Sequence, residues 1–325
     1  MDIDTVLDTV YTGPDVVFTT QLKQPGGKKY YCKQLPVAYQ QDNKRLDQFD
    51  QEIKFMESLG NIQGTLIGRR SKVIGDNPAI VYDYMEYHSV GKIINDCVST
   101  DQRIPLSLGI SWSLSIIESL EQLMAISKEL GRSTIDIAIW PKTLFIDDSG
   151  NLRITHFSLN SPPSITSSII RPDLKQYFLY AAPEQIIAGQ IPDQRILYYI
   201  LGMLLFELLT SKPLFTNPES IDPKQVVRRK LRKLHPLLSD ANSLLSPLDK
   251  IISEMLTPHP DNRLVELVSL KDKIQEFKDH MDDPSNCDPA ALFCDLKDNL
   301  SHSLGRSSIL GSQYETTNIN EFNAS

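Results

Sequence analysis

The spacing of apolar residues changes character along the chain, and each change marks an element. Between about residues 9 and 35, β-branched and aromatic runs, "VVFTTQL" and "KKYYCKQL", flank "KQPGG". Proline and glycine suit a turn, so this stretch predicts antiparallel strands. In "RLDQFDQEIKFMESLG" the period lengthens, and Leu46, Phe49, Ile53, Met56 and Leu59 recur at three- and four-residue steps. That spacing lines one face of a helix over 46–59, with Gly60 as its stop. Two more strand-like runs, "SKVIG" and "PAIVYDYM", complete a small sheet served by one main helix.

From about residue 105 the pattern turns helical. "PLSLGISWSLSIIESLEQLMAISKELG" is a long amphipathic stretch ended by Gly131. The exception is "KTLFIDDSGNLRITHF", where "DDSGN" separates two short alternating runs and predicts a β-hairpin. The polar, proline-rich "SLNSPPSITSSIIRPDLKQYF" predicts a long exposed loop. Helices then run from about 195 to 280, and "LYYILGMLLFELL" at 197–209 is too short to span a membrane and contains Glu207, so it reads as a buried helix. Residues 281–325 are rich in Ser, Asn and Asp and predict a disordered tail. Within that tail "DPAALFCDLKDNL" has the pattern of a short amphipathic docking helix.

Composition narrows the class. With 325 residues, 41% of them hydrophobic, the chain can fill a large core divided between two lobes. A net charge of −8 argues against a general nucleic-acid or anionic-membrane surface, because those partners reward a basic field. The basic run "VVRRKLRK" reads as a solvated helix face. Cys32, Cys97, Cys287 and Cys294 form no CxxC pair and indicate neither a metal site nor a disulfide framework. The acidic start "MDIDTVLDTV" lacks the features of a signal peptide, and the expectation is a cytoplasmic or nuclear protein with no membrane span.

The order of elements and four motifs resemble the protein kinase superfamily. "YYCK" at 30–33 is similar to the strand that carries the kinase lysine, which makes Lys33 that residue and Glu52 its helix partner. "AAPEQII" resembles the end of an activation segment, with Ala182, Pro183 and Glu184 as its APE triplet. "YYILGMLLFELLTSKPLF" is similar to the family's central buried helix, and "MLTPHPDNRL" to the segment whose arginine, here Arg263, pairs with Glu184. The resemblance implies an α+β, two-lobed kinase-like fold. A small β-rich N-lobe with one main helix covers 1–86, a larger, mostly helical C-lobe covers 87–280, and the tail follows at 281–325.

The same alignment implies missing chemistry. Pro141 in "WPKTLFI" sets a register in which the HRD triplet falls on Asp136, Ile137 and Ala138. The metal-binding Asn then falls on Thr143, and the DFG triplet on His156, Phe157 and Ser158. Ala138 can neither orient a substrate hydroxyl nor accept its proton. His156 is a poor ligand for so hard a cation as magnesium, and Thr143 offers one neutral hydroxyl. Tyr31 stands where the family has a small residue in the adenine roof, and Phe145 where it has a smaller one in the floor. If Val17 and Phe18 follow the glycine-rich loop, its three glycines become Val10, Thr12 and Asp15.

The expectation is therefore a pseudokinase without catalytic residues, metal or cofactor. ATP is not expected to bind. Lys33 with Glu52 and Glu184 with Arg263 are expected to serve as structural ion pairs. The function expected is that of a protein-interaction scaffold or allosteric regulator, with an active kinase or a signalling complex as the partner. Its contact surfaces are expected at the helix 46–59, the loop 158–180 and the tail. The alternatives are a metal-independent nucleotide sensor, or an enzyme of non-standard chemistry that would draw on Asp136, Asp147 or Asp148.

Overall fold

The computed structural model describes residues 5–12, 17–22, 29–35, 37–58, 69–73, 77–83, 88–129, 139, 141, 144–154, 179–187, 193–215, 223–263, 266–281 and 288–308. The first part is a five-stranded antiparallel sheet of order β1-β2-β3-β5-β4. Its strands are β1 (Thr5–Thr12), β2 (Val17–Leu22), β3 (Lys29–Gln34), β4 (Arg69–Val73) and β5 (Asn77–Asp83). Helix α1 (Asn43–Ser58) lies against β4 and β5. It starts before the predicted Leu46 because the Asp42 carboxylate accepts the amides of Lys44 and Arg45, capping the first turn.

Strand alternation sorts β3 and β5 into two faces. Tyr31, Leu35, Ile80 and Tyr82 join Phe49, Ile53 and Met56 of α1 in the main core. Tyr30, Cys32, Ala79 and Val81 form a separate cluster on the opposite face. Burial pushes the Cys32 thiol up to about 12, which keeps it protonated and unreactive.

The second part is mostly helical. A short sheet of β6 (His88–Ser89), β7 (Leu144–Ile146) and β8 (Leu152–Ile154) contains the predicted hairpin. Helix α2 (Val90–Thr100) opens with the Ser89 hydroxyl accepting the Lys92 amide. Helix α3 (Leu106–Glu129) buries serines because Ser113 and Ser119 donate to carbonyls one turn earlier. It packs on α5 (Arg195–Thr210), and a Cβ added at Gly109 would lie 2.9 Å from the Leu208 carbonyl oxygen. Around these stand α4 (Pro183–Ile186), α6 (Pro223–Leu231), α7 (Ser246–Met255) and α8 (Leu267–Asp279). Burial of nearly every residue of α5 accounts for a sequence that is apolar except at its ends and at Glu207.

The tail departs from expectation. Disorder from 281 to 325 does not hold over α9 (Pro289–Ser308), which packs on α2 and α3. Phe293, Leu296 and Leu300 are buried, at the three- and four-residue spacing of a helix face. The docking-helix pattern thus finds its seat on this same chain. Residues 309–325 lie outside the described residues.

Candidate functional site

Lys33 leaves β3 on the face that meets α1, and Glu52 leaves α1 toward it. Their ammonium and carboxylate form a direct ion pair. Both side chains are buried. Burial pulls Lys33 below the usual lysine range against the attraction of Glu52, and pushes Glu52 up against that of Lys33. Such a pair ties sheet to helix, because losing either partner strands a charge in the core.

Tyr31 precedes Lys33 on the same face, and the ladder pairs it with Tyr82 of β5. Tyr31 and Phe145 are only 6% and 4% exposed, covered by the protein's own atoms. Tyr82, which sequence reasoning did not single out, is fully buried in the same core. Burial, then the charges of Glu52 and Cys32, raise its phenol well above the usual value.

Asp147, named as an alternative acid, is fully engaged in its own hairpin. Its Oδ1 accepts the amides of Ser149 at 3.0 Å and Asn151 at 2.9 Å, and its Oδ2 accepts Arg153 Nε at 2.9 Å. Asp148 pairs with Lys297 of α9 at 3.2 Å. Asp147 is buried in the hairpin, and Asp148 is exposed at its turn. Ala138, Thr143, His156 and Asp136 lie outside the described residues, as do Asp15 and the loop as far as residue 178. Among the described residues no group of three or more His, Cys, Asp or Glu side chains could hold a metal ion.

The predicted pair of Glu184 and Arg263 is present and bidentate, at 2.5 and 2.7 Å. Arg263 spends its remaining donors on the carbonyls of Thr257, Pro258 and Arg195. A second cluster beside it was not anticipated. Tyr180 donates to Glu207 Oε2 at 2.9 Å, and Glu207 Oε1 accepts the Leu214 amide at 3.1 Å. Burial raises the Glu207 carboxyl to about 7. Lys230 of α6, read from sequence as part of a solvated face, is instead buried, and its ammonium donates to the carbonyls of Leu179 and Ala181. Burial lowers it well below the usual lysine range. On α1, Phe49 and Ile53 are buried and Leu46 packs against the core, while Asp47, Gln51, Lys54 and Glu57 line its exposed face.

Relatives agree with this architecture. The sequence profile described as "Protein kinase domain" matches residues 16–279, and the chain belongs to that family. It is 24% identical over 212 residues to serine/threonine-protein kinase PrkC of Bacillus subtilis, covering 65% of this chain and 30% of that protein. It is 28% identical over 154 residues to Aurora kinase B of Xenopus tropicalis, covering 47% of this chain and 39% of that protein. The chain thus spans well under half the length of these relatives. The fold matches the Mycobacterium tuberculosis PknI kinase domain with a TM-score of 0.56 at 18% identity, over 84% of this chain and 95% of that one. Among the described residues no helix is long and apolar enough to cross a membrane.

Proposed function

We propose that this kinase domain has lost phosphoryl transfer and works through protein contacts, as a scaffold or as an allosteric regulator of a partner. The observation that carries the reading is chemical. Positions aligned with the catalytic base and with both magnesium ligands hold Ala138, Thr143 and His156. Phosphoryl transfer rests on positioning and charge neutralisation, so a frame without those groups keeps little of the acceleration. The burial of Tyr31 and Phe145 supports the same reading, because the kinase alignment sets these two rings at the roof and floor of the adenine slot, where bulk leaves less room for a purine. Lys33 with Glu52 and Glu184 with Arg263 then serve the packing of the frame.

The test is transfer of labelled phosphate from ATP to the chain itself and to a generic protein acceptor, with magnesium and with manganese. No transfer is expected, nor any difference between the wild type and Lys33→Met. Transfer that disappears in the variant overturns the proposal. The retained ion pair at Lys33 supports a second reading, a nucleotide sensor, which requires thermal stabilisation by ATP that persists in chelator.

A further inference from the structure

Folding leaves three leucines uncovered at the end of α6. Leu231, Leu234 and Leu237 are 44%, 53% and 42% exposed. Exposed Arg228, Arg232 and Lys233 are interleaved with them. The inner face of the same helix is fixed: Val226 is buried, and Lys230 is anchored to the carbonyls of Leu179 and Ala181 at 2.7 and 2.6 Å. The chain then reverses sharply, with the Leu234 amide on the Arg229 carbonyl at 2.9 Å and the Lys233 amide on that of Lys230 at 3.1 Å. This is a Schellman turn, and Lys233 occupies its left-handed position at φ 52°. Glycine is the ordinary residue there, and a side chain costs about 1 kcal/mol.

Attraction to the helix dipole accounts for cations on a last turn. It does not account for leucines held in water among them. Exposed apolar groups this close along the chain and interleaved with charge mark a contact surface. The charge around the ledge selects its occupant. A lipid surface extends far enough to meet the field of the whole chain, whose net charge is −8, and an anionic one is repelled. A short segment meets only the local cations, within a screening length of about 10 Å.

We propose that this ledge docks an acidic amphipathic helix of a partner protein. Apolar side chains of that helix would lie on Leu231, Leu234 and Leu237, and its carboxylates against Arg228 and Arg232. The ledge names the chemistry of the partner and rests on the interaction role proposed above for its purpose.

The experiment uses the full chain and a fluorescein-labelled synthetic peptide of about 16 residues, with Leu at helical i, i+3, i+4 and i+7 spacing and Glu elsewhere. Anisotropy is expected to show saturable binding that weakens as salt is raised. Leu234→Ser and the double change Arg228→Glu with Arg232→Glu should each weaken it about tenfold, or about 1.4 kcal/mol. All three side chains are exposed, so Leu234→Ser should melt with the wild type and the double reversal should stay folded, melting slightly lower because it opposes the helix dipole. The same peptide with Lys for Glu, or with Ser for Leu, should not bind. Absent saturation, equal binding by the variants or by the Lys peptide, or binding only to phosphatidylserine vesicles overturns the proposal. None of these readouts depends on phosphate transfer, so failure of the ledge and failure of the inactive-kinase reading are separable.

Discussion

Arg263 concentrates more buried polar bonding than any other side chain described above, and its loss should be correspondingly expensive. Arg263→Leu leaves the buried Glu184 carboxylate without a counter-charge and the carbonyls of Thr257, Pro258 and Arg195 without a donor. Breaking such a pair costs about 3–5 kcal/mol. Arg263→Lys should recover little, because an ammonium cannot fork onto two carboxylate oxygens and the carbonyls together. Urea unfolding midpoints of the two variants check both expectations. Glu207 offers a pH test. Its folded value of about 7 lies above the ordinary 4.5, because burial disfavours the charged form. The folded state therefore holds a proton that the unfolded state has released between those two values. The contribution to stability is full below about 4.5, declines as pH rises toward 7, and is then gone. The decline amounts to about 3 kcal/mol at 1.36 kcal/mol per unit. Glu207→Gln cannot titrate, so the difference in stability between wild type and variant should shift against the wild type over that interval.

Among the elements, α9 carries the clearest consequence. Phe293 is fully buried and stands edge-on to Trp112 at 6.0 Å and to His88 at 5.5 Å. Trp112 Nε1 donates to the Gly150 carbonyl, and a Cβ on Gly150, at φ +73°, would lie 2.4 Å from the Pro289 carbonyl oxygen. Phe293→Ala should cost about 3–5 kcal/mol and redden the emission of Trp112 as water enters. Gly150→Ala, which alters neither helix, should loosen α9 selectively, read as faster amide exchange over 289–308 with α5 unchanged. These contacts also explain what the sequence concealed. The amphipathic spacing of Phe293 and Leu296 was visible against the polar composition of 281–325, but its seat was not, because that seat is made of residues far away in the chain. The hairpin was readable because its turn is local, and Asp147 holds that turn through Ser149, Asn151 and Arg153. The ion pairs of Lys33 and Arg263 were readable through family motifs. Lys230 was not, since a cation in a basic run is ordinarily solvated, and only carbonyls some fifty positions earlier draw this one inward. The start of α1 was misplaced for a local reason, the Asp42 cap lying outside the apolar repeat.

For the molecule as a whole, two obstacles to kinase chemistry are proposed, and they are separable. One is the loss of the catalytic base and metal ligands at Ala138, Thr143 and His156; the other is the filling of the cleft by Tyr31 and Phe145. If the rings exclude the nucleotide, restoring those groups cannot restore binding, because a ligand that never enters gains nothing from a metal. The triple change Ala138→Asp, Thr143→Asn and His156→Asp should therefore melt at the same temperature with and without ATP and magnesium. Adding Tyr31→Ala and Phe145→Leu removes bulk from both sides of the slot. That alone should lower the melting temperature, since large-to-small changes in a packed core cost about 2–5 kcal/mol. Against the lowered baseline ATP with magnesium should now stabilise, by about 2.7 kcal/mol at a concentration one hundred times the dissociation constant. Stabilisation of the triple variant with its rings intact would place the whole obstacle at the missing base and metal ligands and leave Tyr31 and Phe145 as ordinary core.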